Sequence, residues 1–152
     1  MTCEVRVETV QPEWIAAVRA RAPVGAVAQV WKPALDQVWA FLGTNASVRP
    51  GHNLFLYHHA AHRNEPMDID FGVQVSQSFV PDGNVRCIAT PAGEVASAVH
   101  IGPYDRMGDA HAAIHAWCLA NNRTIGPASW EIYGDWTNDP ARLETTIKYL
   151  LA

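Results

Sequence analysis

Apolar and polar residues alternate from the start of the chain. Cys3, Val5 and Val7 interleave with Glu4, Arg6 and Glu8, the period of a half-buried strand over residues 3–10. A second apolar run, Trp14 to Val18, reads as another strand. The period then lengthens. Val27, Trp31, Ala34, Val38 and Leu42 recur at helical spacing, and Gly43, Thr44 and Asn45 end the helix. Pro33 inside this pattern should kink the helix or mark its true start. After Arg49-Pro50-Gly51 the chain returns to strand spacing. Leu54, Leu56 and His58 share one face, and Phe55, Tyr57 and His59 the other. A loop AHRNEP separates this strand from MDIDFGVQV, where Ile69, Phe71, Val73 and Val75 fall on one side. Pro81-Asp82-Gly83-Asn84 is a strong turn signal.

The same order then repeats. The run VRCIATPAGEVASAVHIG predicts a hairpin through Pro91-Ala92-Gly93. A helix is expected from Pro103, a favoured first-turn residue, to Asn121 and Asn122, with Met107, Ala110, Ile114, Trp117 and Cys118 as apolar positions. A turn at Gly126-Pro127 leads into the strand ASWEIYG, and LETTIKYLL is the last strand. Antiparallel strands with one helix in each half make an α+β fold. The halves divide near residues 1–83 and 84–152 of a single domain, 1–152. Weak parallels support a duplication: Trp39 and Trp117 in the helices, then Gly51 and Gly126, then Tyr57 and Tyr133.

Composition narrows the function. Hydrophobic residues are 49 % of the 152, charged residues 17 %, and the net charge is −4. A chain of this length buries a core without staples. The acidic balance gives no support for direct nucleic-acid binding, which needs clustered Lys and Arg. Cys3, Cys87 and Cys118 are far apart and form no C-x-x-C pair, against a disulfide framework or a thiolate zinc site. No run is long and apolar enough to span a bilayer, and the N-terminus has no signal-peptide pattern. The expectation is a cytoplasmic protein, with no cofactor, no metal and no membrane partner. Six Trp suit either a core or an apolar ligand pocket.

Three segments taken together carry a resemblance: VHIGPYDRMGDAHAAIHAWCLANN, then GPASWEIYGDW, then LETTIKYLL, with DIDFGVQV as the matching strand of the first half. They resemble the GyrI-like domain, also called the AraC-type effector-binding domain. The likeness spans essentially the whole chain, and Pro33 is a departure from it. It implies two βαββ modules related by pseudo-two-fold symmetry, with a ligand groove between the halves. It also implies one of three functions: binding of small hydrophobic drugs, protein interaction of the gyrase-inhibitor type, or hydrolysis of cyclopropane-bearing alkylating compounds. A bacterial, stand-alone domain without a DNA-binding part is the expected form.

Within ASWEIYG, alternation places Ser129, Glu131 and Tyr133 on one face and Trp130 and Ile132 on the other. The second face is expected under the helix and the first in the groove. The residues alone leave open a solvated or Arg-paired Glu131. The resemblance makes Glu131 the central pocket residue, and a general base if the protein is an enzyme. By correspondence with Tyr133 and Glu131, Tyr57 and Phe55 would line the opposite wall, with Leu54 and Leu56 under the first helix. Tyr104, in G-P-Y, is the aromatic that the resemblance puts at the start of the second helix; stapling that helix is its plainer role. Trp31 and Trp136 are candidates for the rim or the core. Aromatic walls with one carboxylate suit an apolar or aromatic guest, cations included. His111 and His115 stand at i, i+4, as in H-E-x-x-H zinc sites, but the Glu is missing and no third ligand is evident. Two solvent-facing helix histidines are the expectation. His58, His59 and His62 read as a surface cluster.

Overall fold

The structure, a computed structural model, describes residues 3–62 and 65–152. The Arg63–Asn64 part of the expected AHRNEP loop lies outside them. Eight strands and two main helices follow in the order β1 (Arg6–Val10), β2 (Trp14–Ala22), α1 (Val27–Gly43), β3 (Pro50–His58), β4 (Met67–Val75), β5 (Arg86–Ala89), β6 (Gly93–Ile101), α2 (Met107–Ala120), β7 (Ile125–Tyr133) and β8 (Glu144–Leu151). The α+β class is as expected, and the strands pair antiparallel.

The chain divides into two compact units. Unit 1 is residues 1–11 with 91–152, and unit 2 is residues 12–90. Strand order is β1-β6-β8-β7 in unit 1 and β5-β2-β4-β3 in unit 2. Each unit therefore holds one βαββ run plus one edge strand. The edge strand comes from the chain segment that adjoins the other unit. β1 pairs with β6, and β5 pairs with β2. This exchange moves the division away from 83/84, and it removes the expected β5–β6 hairpin. Where that hairpin would turn, Thr90 is instead tied to β2's approach: its backbone N–H donates to Glu13 O (2.9 Å), and its Oγ1 accepts from Glu13 N (2.8 Å).

In unit 2, α1 packs on β2 and β4 through Ala34, Leu35, Val38, Phe41 and Leu42. Pro33 lies inside α1, so it does not start the helix. Its missing N–H falls on an exposed stretch, where water reaches the freed carbonyl. β3 and β4 are in register at Phe55↔Phe71 and Tyr57↔Ile69, and β2 adds Val18↔Phe71. Directly opposed residues share a face. Phe55 and Phe71 meet edge to face at 4.8 Å, and Trp31 of α1 lies against Phe55 at 6.2 Å. The α1 side is thus the Phe55–Tyr57 side, and Leu54 and Leu56 point the other way, contrary to expectation.

Gly72 sits where β4 crosses close to β2: a Cβ there would lie 2.8 Å from Ala16 O and 3.1 Å from Ala17 Cβ. Backbone cannot yield cheaply, so Gly72→Ala should cost about 1–3 kcal/mol in urea unfolding.

In unit 1, α2 packs on β6 and β8. Its core joins Ala110, Ile114 and Cys118 to Ala96, Ala98, Ile147, Tyr149 and Leu151. The small alanines of β6 leave room for the helix to approach. α2 ends at a left-handed Asn122 (φ 56°), where Arg123 N–H bonds Cys118 O at 2.9 Å. This satisfies a carbonyl of the last turn, as the Asn-Asn signal suggested. The expected turn at Gly126-Pro127 is instead part of β7, absorbed by a register shift between Ile125 and Ser129. Among the described residues no helix is long and apolar enough to cross a membrane.

Candidate functional site

β7 and β8 are in register at Ser129↔Tyr149, Glu131↔Ile147 and Tyr133↔Thr145. Ile147 and Tyr149 pack on α2, so Glu131 and Tyr133 stand on the α2 side of the sheet. Trp130 and Ile132 take the other side. The strand divides between faces as alternation requires, but the helix covers the opposite face from the one expected. Alternation separates two faces and carries no information on which one a helix covers.

Glu131 is 4 % exposed. Burying a carboxylate without partners would be costly, so its hydrogen bonds decide what it can do. Tyr133 Oη donates to Glu131 Oε1 at 2.7 Å. His111 Nε2 lies 2.7 Å from Glu131 Oε2, and a carboxylate only accepts, so this nitrogen carries the proton. The other ring nitrogen, Nδ1, lies 2.7 Å from Tyr149 Oη. Burial, with the charge of Glu131 behind it, pushes the Tyr149 phenol up to about 12, so it stays protonated at neutral pH. The result is a continuous chain from Tyr149 through His111 and Glu131 to Tyr133. Tyr104 extends it as an aromatic wall, edge to face with Tyr133 at 5.5 Å. His115 stands edge to face with Tyr149 at 5.0 Å, and burial, then the neighbouring His111, lowers its imidazole. Thr145, opposite both Tyr133 and His100, is fully buried, and its hydroxyl has no partner among the described residues.

His111 corrects the expectation of two solvent-facing histidines. It lies one residue past Ala110 and three before Ile114, on the inward stripe of α2. His111 and Tyr149 are the residues that sequence reasoning missed. The i, i+4 spacing drew attention to His111 only as a zinc ligand, and among the described residues no group of three His, Cys, Asp or Glu could hold a metal.

The other nominated residues lie elsewhere. Phe55 is buried and Trp31 half-exposed in the aromatic cluster of unit 2, and Tyr57 is partly buried on the same face of β3. Trp136 follows β7 and is 72 % exposed, without a packing role. A cleft of about 500 Å³ in unit 2, bounded by α1, β2 and the turn at Gly83 and Asn84, includes none of the nominated residues. His58 is not a plain surface residue: its Nε2 lies 2.7 Å from the buried Asp70 carboxylate.

The model of the GyrI-like small molecule binding domain matches residues 3–150. The chain belongs to the GyrI-like family. Solved structures agree with this assignment in fold. The C-terminal domain of EcmrR superposes with a TM-score of 0.83 at 20 % identity, covering 100 % of the GyrI-like chain and 99 % of that domain. In the EcmrR–DNA complex the corresponding match spans 58 % of the EcmrR chain. SAV2435 bound to tetraphenylphosphonium gives 0.71 at 12 % identity, with 98 % and 94 % coverage. A hydrolase encoded by lin2189 from Listeria innocua gives 0.69 at 11 % identity, with 99 % and 93 % coverage. No curated protein matches the sequence. The GyrI-like chain is thus a small-molecule binding domain.

Proposed function

We propose that this GyrI-like domain captures a small apolar or aromatic molecule, cations favoured, on the α2 side of unit 1, with Glu131 as its counter-charge. The observation that carries the reading is a carboxylate 4 % exposed, held by an imidazole and by the phenol of Tyr133, whose ring meets Tyr104 edge to face. Ring faces attract cations and give flat guests dispersion contacts. A structural neighbour captured with tetraphenylphosphonium supports the cation class. Function through a protein or small-molecule partner needs no direct nucleic-acid contact.

The test is fluorescence or calorimetric titration with tetraphenylphosphonium. Glu131→Gln keeps the shape and removes the charge, and should weaken binding about tenfold to a hundredfold. Saturable binding unchanged by Glu131→Gln would sink the reading.

A second reading is favoured by the proton-bearing partners of the same carboxylate. Glu131 as general base would take a proton from water as the hydroxyl adds to one carbon of a strained cyclopropane. The ring C–C bond breaks, and the other carbon receives a proton. Neighbours described as hydrolases support it. Incubation with a cyclopropane-bearing alkylator and mass spectrometry separates the readings: a product heavier by one water, absent with Glu131→Gln, means turnover.

A further inference from the structure

We infer that His111 sets which charge class of guest the Glu131 site accepts, by switching the net charge of the His111–Glu131 pair between −1 and zero. The inference rests on the reading of Glu131 as the guest's counter-charge. Its basis is the geometry around the imidazole. Nε2–H points at Glu131 Oε2 (2.7 Å), and Nδ1 faces Tyr149 Oη (2.7 Å). A phenol both donates and accepts. With a neutral ring, Tyr149 O–H donates to Nδ1. With an imidazolium, Nδ1–H donates to the phenol oxygen. One rotation of a hydroxyl hydrogen therefore lets Tyr149 meet either charge state of the ring, with no heavy atom moved. Imidazole is the side chain that changes charge across physiological pH.

Other groups around His111 do not duplicate this role. From β7 come Glu131 and Tyr133, and from β8 comes Tyr149, which stays a phenol. On α2 itself, His115 is one turn on and has no hydrogen bond to Glu131, while Asp109 is paired with Arg106 in solvent. On β6, the His100 ring is held at 2.9 Å by Pro103 O. Cys118 contributes a thiol that burial pushes up, so it stays neutral.

A cation entering beside a neutral His111 meets a net negative site. Beside an imidazolium it meets a neutral pair. Over a few ångströms at partly buried effective dielectric, that difference corresponds to roughly a tenfold to hundredfold change in affinity. An uncharged guest of similar shape feels neither.

The experiment titrates tetraphenylphosphonium and uncharged triphenylphosphine oxide into wild type, His111→Asn, His111→Lys and Glu131→Gln at pH 5.5 and 8, with circular dichroism to confirm folding. The expected result for wild type is cation affinity lower at pH 5.5 by about tenfold or more, with the oxide unchanged. His111→Asn should bind the cation equally at both pH values, and His111→Lys weakly at both. His111→Asn retains Glu131, His100 and His115, so a pH dependence that survives in it belongs to another group and overturns the inference. A flat wild-type profile with binding that still needs Glu131 also overturns it, while leaving the reading of the site intact. Binding that ignores Glu131 removes both.

Discussion

Phe71→Ala is expected to remove about 3–5 kcal/mol of folding stability. Phe71 is wholly buried in the middle of β4, opposite Val18 and Phe55. Its ring meets the Phe55 ring edge to face at 4.8 Å, a geometry that adds about 0.5–1.5 kcal/mol beyond area burial. Truncation leaves a void among β2, β3, β4 and α1. β-Sheet backbone cannot collapse to fill such a void without breaking its register, which places the loss in the upper part of the range. Urea denaturation should show the midpoint falling with the slope unchanged. Phe71→Leu, which keeps most of the volume, should cost well under half as much. Equal costs for the two would mean that the ring contact, rather than the cavity, carries the energy.

Arg19→Met is expected to cost about 3 kcal/mol. Asp70 is 1 % exposed on the face of unit 2 opposite α1. Arg19 grips it with Nε to Oδ1 at 2.9 Å and Nη2 to Oδ2 at 3.0 Å, and His58 Nε2 lies 2.7 Å from Oδ2. Breaking such a pair from one side costs about 3–5 kcal/mol, and the lower end applies because the Arg19 side chain is 36 % exposed and His58 remains. Adding Asp70→Asn to Arg19→Met should restore part of the loss, since the orphaned charge is then gone. Acid behaviour gives a second check. Burial alone would raise the Asp70 carboxyl, but the hydrogen bonds from His58 and Arg19 and the Arg19 charge outweigh it and hold it below its ordinary value. A carboxyl lowered in the folded state contributes stability that is fully present above its unfolded value, near 4, and is lost as pH falls through the folded one. Wild type should therefore keep this contribution down to about pH 4 and lose it below. Arg19→Met is already destabilised at neutral pH and should lose less on acidification than wild type, because with Arg19 gone burial offsets more of what holds the Asp70 carboxyl down.

Much of the fold was readable from spacing. Leu42 and Val38 fall on the buried stripe of α1, Ile114 and Cys118 on that of α2, and the strands stand close to where alternation put them. Strand partnership was not readable. VRCIATPAGEVASAV has every local mark of a hairpin, and only tertiary pairing reveals that its two arms go to different neighbours. The candidate site was legible by halves. Glu131 stood out as a carboxylate in an apolar strand, and Tyr133 followed from the period of two. Tyr149 and His111 depend on the register of β7 against β8 and on the rotation of α2, and neither leaves a trace in local sequence. Asp70 was hidden for a related reason: MDIDFGVQV looks half-solvated, but residues on the Asp70 side are also buried. Trp39 on α1 is 40 % exposed, its indole N–H donating to Asn53 Oδ1 at 3.0 Å.

The exchanged edge strands set a constraint on the order of assembly. β1 is made before β6, and Val7 lacks its strand partner until Ala96 has been made. Unit 2 can close as soon as β5 has emerged, whereas β1 waits as a tether through the whole of that event. Until β1 docks, β6 presents a bare edge of backbone donors and acceptors, the kind of surface on which other chains nucleate. Rapid docking of β1 thus shields the β6 edge from association with other chains.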